Sequence, residues 1–334
     1  MVLDLIRARD ARAQICVMRE GQVVLDSSVG CGPDTPFLIF SAGKPFVAML
    51  VHLLAERGQV SLADPVARHW PEFGRRGKET ITIRQVLQHR SGLHVARGLA
   101  QDALMAPSWR MSVRALETAR PSTKVPAYHV ISYGFILGEL VQRVTGKPLR
   151  DVLRAELLEP LNLTNTHLGT PKALWPQHIP IRADIVRRMV FNTRLFRQAV
   201  IPAATISTTA RDLARFYQML VAGGELDGVR VLAPATIAQA RHPSSDGETD
   251  NLLRVPIRWS QGFQLGDPAS ANPRPMGRAS SPNTFGHNGS NCCLGWADPD
   301  RGLAFAYLTN KRDGGFEGSP HQTEVSDAVL ATYG

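Results

Sequence analysis

The chain has 334 residues, 43% hydrophobic and 20% charged, which is typical of a soluble globular protein with a large core. Its net charge is +9, but the arginines are scattered among acidic residues, which argues against a nucleic-acid-binding surface. No apolar run reaches the ~20 residues of a membrane span, and the N-terminus lacks the apolar segment of a secretory signal. We therefore expect a cytoplasmic protein with no membrane span and no nucleic-acid partner.

The cysteines and histidines predict neither disulfides nor a metal site. Cys16, Cys31, Cys292 and Cys293 are too few for a disulfide framework in a chain of this length, and they lack zinc or redox spacing. We expect buried free thiols. The ten histidines show no ligand spacing and no HExxH motif, so we expect no metal and no cofactor.

The N-terminal part reads as strands followed by a helix. Residues 13–30 form two β-branched-rich runs around the turn "EGQ", which predicts a hairpin. After Pro36 an extended apolar segment leads to Ser41. Residues 45–57 then repeat apolar positions at helical spacing and end at Gly58, a plausible C-cap.

The middle of the chain is mostly helical, and the end returns to strands. Helices are predicted at 81–89, 112–119, 134–146 and 149–161, with an amphipathic surface helix at 182–197. Ser207 or Thr208 could cap a helix over 209–222, and a turn at 298–302 joins two strands before a helix at 322–332. We expect an α/β lobe from residues 1–64 and 205–334, with a mostly helical lobe, 65–204, inserted and a cleft between them.

Ser41 and Lys44 are a candidate nucleophile and base. Pro45 is tolerated only in the first turn of a helix, so residues 41–44 should form that turn. The Ser41 N–H would then be free to bind an oxyanion, and the (i, i+3) spacing places both side chains on one face. A lysine acts as a base only when burial or a neighbouring cation lowers its pKa. The alternative is a surface lysine whose stem covers apolar residues.

Two further segments carry groups that could complete such a site. Tyr128, at a loop-to-helix junction, could relay a proton. The alternative is a half-buried tyrosine that has only a structural role in packing the loop. "GHNG" (286–289) opens a strand whose glycines allow close approach to a ligand. The N–H of Ser290 could be the second oxyanion donor, with His287 pointing into the same cleft.

These segments together resemble the serine β-lactamase/penicillin-binding-protein superfamily, and its class C-like esterase branch most closely. The matching segments are "FSAGKPF", "TITIRQVLQHRSGL", "YGFILGELVQRVTGKPL", "PAATISTTARDLARFYQML" and "GHNG…GWADPDRGLAFAYLTN", in the family's order. The resemblance implies an α/β (α+β) fold of the β-lactamase/transpeptidase type, with an antiparallel sheet flanked by helices plus an inserted all-α lobe.

The resemblance also implies roles for individual residues. Ser41 would be the acylated nucleophile, Lys44 its general base and Tyr128 the proton shuttle. His287 and Gly289 would belong to the family's third catalytic motif, which is "GHNG" (286–289) in this chain. The amides of Ser41 and Ser290 would form the oxyanion hole.

The family's second catalytic motif is usually Tyr-x-Asn, and the segment that begins at Tyr128 departs from it. Tyr128 is followed by His129 and Val130, with no amide. Counting back without gaps from Gly138 puts His129 in the tyrosine's place, whereas a Tyr-His pair resembles the esterase-like branch and favours Tyr128. His129 therefore stays the alternative.

The third motif bears on the substrate. A lysine in the position of His287 would supply a fixed charge for a substrate carboxylate, but a histidine is largely neutral at pH 7. We therefore expect an esterase that acts through an acyl-enzyme on small-molecule carboxylic esters. The alternatives are β-lactamase or D-aminopeptidase activity at the same site, or a weakly active ligand-binding homologue.

Overall fold

The computed structural model describes residues 1–267, 275–314 and 319–334. The strands in these ranges are β1 Ala13–Arg19, β2 Gln22–Val29, β3 Phe37–Leu38, β4 His167–Leu168, β5 Ile206–Thr208, β6 Glu225–Leu226, β7 Val229–Arg230, β8 Gln264–Leu265, β9 Phe285–Gly289, β10 Cys293–Asp298 and β11 Leu303–Thr309.

The α-helices in the same ranges are α1 Val2–Ala8, α2 Lys44–Glu56, α3 Val66–His69, α4 Ile83–Leu87, α5 Leu99–Met105, α6 Trp109–Thr118, α7 Ser132–Thr145, α8 Leu149–Leu153, α9 Ile185–Phe191, α10 Arg194–Gln198, α11 Ala210–Val221, α12 Pro234–Arg241 and α13 Pro320–Tyr333. Short 3₁₀ helices occupy Phe40–Gly43, Pro71–Gly74 and Lys172–Gln177, and Arg154–Leu158 is a π-helical turn. No helix in the described ranges is long and apolar enough to cross a bilayer.

Both ends of the chain build one antiparallel sheet, in the order β2-β1-β11-β10-β9-β8. Alternate residues of its strands face opposite sides. In β1, Cys16 and Met18 join the core that contains α2 and α11, whereas Ile15 and Val17 join the core formed with α1 and α13. Because helices cover both faces, the residues of β10 and β11 are buried along the whole of each strand.

A second, three-stranded sheet has the order β3-β5-β4. Leu38 pairs with Ser207, and His167 pairs with the same residue from the other side. This sheet therefore joins the segment just before Ser41 to two segments that are distant in the sequence, β4 and β5. The mixed α/β architecture with an antiparallel sheet is as predicted, while the boundaries of the two lobes stay a prediction.

Most predicted elements are present, with shifted ends, and three details differ. Residues 149–161 are not one α-helix, because α8 passes into the π-helical turn. Residues 182–197 form two helices, since Thr193 caps a new helix, α10, through its hydroxyl. The cap of α11 is Thr209, whose side chain accepts from Asp212 N–H, rather than Ser207 or Thr208. All four cysteines are free, and Cys31 is only half-buried.

Candidate active site

Ser41 lies where a short strand turns abruptly into a helix. The chain is extended up to Ile39, whose N–H donates to Ile206 O at 2.9 Å. Phe40 then adopts a φ of 49°, which is unusual for a bulky side chain, and begins the 3₁₀ turn that precedes α2. This strained turn leaves Ser41 lining a cavity.

Lys44 is buried beside Ser41. Its Nζ lies 2.9 Å from Ser41 Oγ, 2.8 Å from Val130 O and 3.5 Å from Ala203 O. The close approach of the Ala203 backbone requires a glycine at position 134 of α7, because a Cβ there would lie 2.4 Å from Ala203 N. The lysine predicted to share a face with Ser41 therefore contacts it directly, and only 1% of its surface is exposed.

Burial also sets the charge of Lys44. Desolvation lowers its pKa well below the usual 10.5. A neutral amine has two N–H groups and one lone pair. When the two N–H groups donate to Val130 O and Ala203 O, the lone pair faces the Ser41 hydroxyl. An uncharged amine held in this way can accept a proton from Ser41 Oγ.

Tyr128 lies on the other side of Lys44 and also lines the cavity. The Lys44 Nζ is 4.7 Å from the centre of the phenol ring. Burial raises the pKa of Tyr128 above its usual range, although a hydrogen bond with Ser41 lowers it in part. The phenol is therefore neutral at physiological pH and carries a proton that it can donate.

The loop that carries Tyr128 is held by His89. The amides on either side of Tyr128 both donate to this residue: Ala127 N–H to His89 O at 3.1 Å, and His129 N–H to His89 Nδ1 at 3.2 Å. The opposite face of Tyr128 stacks on Trp259, with the ring centres 5.3 Å apart and the planes 2° from parallel. The position of the phenol is thus fixed from two sides.

His129 points away from the cavity. Its Nε2 lies 2.5 Å from Ser91 Oγ and its Nδ1 lies 2.7 Å from Ala127 O, and the side chain is fully buried. The structure therefore does not bring His129 to the cavity as the alternative to Tyr128 or as a substrate-binding group. The residue facing Lys44 is Tyr128.

The third motif packs directly against the turn that carries Ser41. A Cβ on Gly289 would lie 2.0 Å from Ile39 O, so only glycine allows β9 to approach this closely. Ser290 follows with a φ of 53° and lines the cavity. Within the described residues, neither the Ser41 N–H nor the Ser290 N–H donates to a protein acceptor, which leaves both available for an oxyanion.

His287 lies on β9 at the back of the same cavity. Its Nδ1 is 2.8 Å from Asn288 O, while the buried Nε2 has no hydrogen-bond partner among the described residues. Burial, followed by the proximity of Lys44, lowers the pKa of His287 to about 3. The imidazole is therefore neutral and supplies no fixed charge for a carboxylate.

Comparison with known proteins identifies the family. The family model described as "Beta-lactamase" matches residues 4–330. The chain belongs to the Beta-lactamase family. It is 32% identical to "Esterase/beta-lactamase LipL" of Mycobacterium tuberculosis, over 89% of this chain and 76% of that protein.

Two solved structures show the same fold as this Beta-lactamase family member. A penicillin-binding protein homologue from Caulobacter crescentus has a TM-score of 0.87 at 28% identity, and a family VIII carboxylesterase has a TM-score of 0.87 at 25% identity. In both cases the match covers 99% of this chain and 96% of the other.

The cavity of this Beta-lactamase family member has a volume of about 280 Å³ and is mainly apolar. Its apolar wall comes from several separate segments and includes Phe40, Ile131, Val190, Phe191, Phe196 and Val255. Among the described residues, the charged side chains that also line it are Arg258, Asp267 and Arg312. No cluster of three His, Cys, Asp or Glu side chains that could hold a metal occurs in the described ranges.

Sequence reasoning did not single out three residues that support the site. Trp259 stacks on Tyr128, and its Nε1–H donates to the buried Asp250 at 3.1 Å. The third residue, after Trp259 and Asp250, is His89, which lies within the segment "TITIRQVLQHRSGL". Its neighbours in the sequence gave no sign that it contacts the Tyr128 loop, about forty residues away, because that contact depends on tertiary packing.

Proposed function

We propose that this chain is a serine carboxylesterase in which Ser41 is the nucleophile. The observation that carries the proposal is the buried Lys44 amine, 2.9 Å from Ser41 Oγ in the wall of an apolar cavity. A serine needs an adjacent base to become a useful nucleophile, and desolvation supplies a neutral lysine for that role.

In the proposed acylation step, Ser41 Oγ attacks the ester carbonyl while its proton passes to Lys44 Nζ. The carbonyl oxygen gains negative charge, which the N–H groups of Ser41 and Ser290 stabilise. As the C–O bond to the alcohol breaks, Tyr128 donates its proton to the departing oxygen and regains one from Lys44. The products of this step are the free alcohol and an acyl group on Ser41.

In deacylation, a water molecule gives a proton to the neutral Lys44–Tyr128 pair and attacks the acyl carbonyl. The carboxylic acid leaves and the proton returns to Ser41 Oγ, which regenerates the starting state. The apolar cavity and the neutral His287 favour an uncharged ester with an apolar acyl or alcohol part.

β-Lactam hydrolysis is the second candidate, and one observation favours it. Arg312 lines the cavity, with its Nε donating to Ser290 Oγ at 2.8 Å. A guanidinium at this place could bind the carboxylate of a β-lactam. The name of the relative LipL includes both esterase and β-lactamase. In this chain the two reactions would use the same nucleophile, Ser41.

Parallel assays separate these functions. Wild type, Ser41→Ala and the control Ser27→Ala, a serine on the edge strand β2, are compared on p-nitrophenyl butyrate and on nitrocefin. We expect ester hydrolysis to fall ~10⁴-fold or more only in Ser41→Ala. Faster turnover of nitrocefin than of the ester would favour the second candidate. Equal rates in wild type and Ser41→Ala would refute both and leave a ligand-binding homologue.

A further inference from the structure

Many of the exposed apolar side chains lie in two segments that also contribute residues to the cavity wall. Among the described residues, the large exposed apolar side chains fall mostly in residues 99–111 and 185–195. Within these two segments the most exposed are Leu104 (80%), Leu195 (73%), Met189 (69%), Val186 (68%) and Ile185 (64%). Scattered single exposed apolar residues are ordinary, but a contiguous group usually marks an interaction surface.

The second of these segments is continuous with the cavity wall. On α9, Ile185, Val186 and Met189 face solvent, whereas Val190 and Phe191 line the cavity. The Phe191 ring packs edge-on against Phe40, the residue before Ser41, with the ring centres 4.9 Å apart. One short helix thus joins the exposed apolar surface to the cavity.

The exposed helix is held in place by a buried arginine. Arg197 is 2% exposed, and its guanidinium donates to Phe191 O, Ile179 O and Asn192 Oδ1 at 2.8–3.0 Å. These bonds fix the turn between α9 and α10. The apolar residues of α9 are therefore exposed to solvent on a helix whose C-terminal end is held by these hydrogen bonds.

The same segment is strongly basic. Residues 182–197 contain five arginines and a single acid, Asp184. Of the five, Arg197 is buried and Arg182 pairs with Asp10 at 3.5 Å. Asp184 pairs with Arg187 at 2.5 Å, whereas Arg188 and Arg194 make no ion pair with any described residue. An apolar helix face bordered by arginines is typical of a helix that lies in the interface of an anionic membrane.

We propose that α9 and its flanks dock the protein on an anionic phospholipid surface, with the cavity mouth facing that surface. The cation excess favours anionic lipid over a second copy of this chain, because two copies would bring like charges together. If the proposed esterase function holds, an apolar ester could pass from the lipid to Ser41 along Val190 and Phe191. Docking itself does not depend on that function.

The test measures binding to vesicles of phosphatidylglycerol and phosphatidylcholine, against pure phosphatidylcholine, by flotation. All proteins carry Ser41→Ala so that no hydrolysis alters the vesicles, which keeps failure of docking distinct from failure of the esterase proposal. The apolar variant is Ile185→Ser/Val186→Ser/Met189→Ser, and the charge variant is Arg188→Gln/Arg194→Gln. The matched control, Val23→Ser/Val24→Ser, lies on β2, at the opposite edge of the sheet from β8.

We expect the parent protein to prefer phosphatidylglycerol vesicles and to lose that preference at high salt. The apolar variant should bind at least about tenfold more weakly, and the charge variant about thirtyfold more weakly at low salt. The control should match the parent, and thermal melting should show all variants folded. Binding that is absent in the parent or unchanged in both variants would overturn the proposal. The proposal would also be overturned if light scattering showed that the parent protein is a dimer and that the apolar variant is a monomer.

Discussion

Replacing Lys44 by methionine tests the charge of the amine on which the mechanism depends. Methionine keeps an unbranched chain of similar length and removes the titrating group. In the folded protein Lys44 is 1% exposed, and burial lowers its pKa well below 10.5. In the unfolded chain the same lysine is protonated up to about pH 10.4.

The size and sign of the effect follow from proton linkage. Between the folded and unfolded pKa values of Lys44, the unfolded chain binds one proton more than the native chain. Stability rises with pH when the unfolded state binds more protons, here by about 1.4 kcal/mol per pH unit. From pH 8.0 to 9.5, wild type should therefore gain stability relative to Lys44→Met, because desolvation lowers the folded pKa of Lys44 well below its usual value.

Urea unfolding of both proteins at pH 8.0, 8.75 and 9.5 measures this difference. Contributions from the other titrating groups cancel, because both proteins share them. A difference that stays constant with pH would mean that Lys44 is charged in the native protein and cannot accept the Ser41 proton. Lys44→Met should also lower kcat for p-nitrophenyl butyrate ~10²–10⁴-fold.

Three further substitutions test the remaining parts of the site. Tyr128→Phe keeps the stacking on Trp259 but removes the proton donor, so kcat should fall ~10²-fold or more. The loss should be larger for ethyl butyrate than for p-nitrophenyl butyrate, and an equal loss would argue against proton donation to the leaving group. His89→Ala should lower kcat about tenfold with KM nearly unchanged, as expected of a residue that positions Tyr128. His89→Asn should recover part of the rate, because asparagine can accept a hydrogen bond and tolerates the φ of 58°. If asparagine rescues nothing, the hydrogen bond to the Tyr128 loop is not what matters. Gly289→Ala would place a Cβ 2.0 Å from Ile39 O and should lower stability by about 1–3 kcal/mol, measured by urea unfolding. Gly314→Ala, whose new Cβ would have no atom of the described residues within 4 Å, should change stability little, and similar losses in both variants would contradict the packing argument.

Local rules were enough to predict the position of Ser41 and Lys44. Proline is restricted to the first turn of a helix, so Pro45 predicted that residues 41–44 form the turn where the helix begins. In the structure Ser41 lies in the 3₁₀ turn just before α2, and Lys44 is the first residue of α2. Strand alternation and turn residues likewise predicted the β1–β2 hairpin and the turn between β10 and β11. Each of these predictions uses residues that are near one another in the chain.

Contacts between distant segments could not be read in this way. His89, Tyr128 and Trp259 meet only after the helical region has packed against the loop before β8, and no local pattern links them. The orientation of His129 also depends on a distant partner, Ser91, so counting residues from α7 could not choose between His129 and Tyr128. Two helices replaced one at 182–197 because a single capping threonine, Thr193, outweighed the amphipathic pattern.

The most direct test of the central claim is to find the acyl group on Ser41. Wild type and Ser41→Ala are mixed with excess p-nitrophenyl butyrate and quenched in acid within milliseconds. Intact mass spectrometry and peptide mapping then locate any added butyryl group. We predict one butyryl group on the peptide containing Ser41 in wild type and none in Ser41→Ala. A butyryl group on another residue, or ester turnover that persists in Ser41→Ala, would contradict the account.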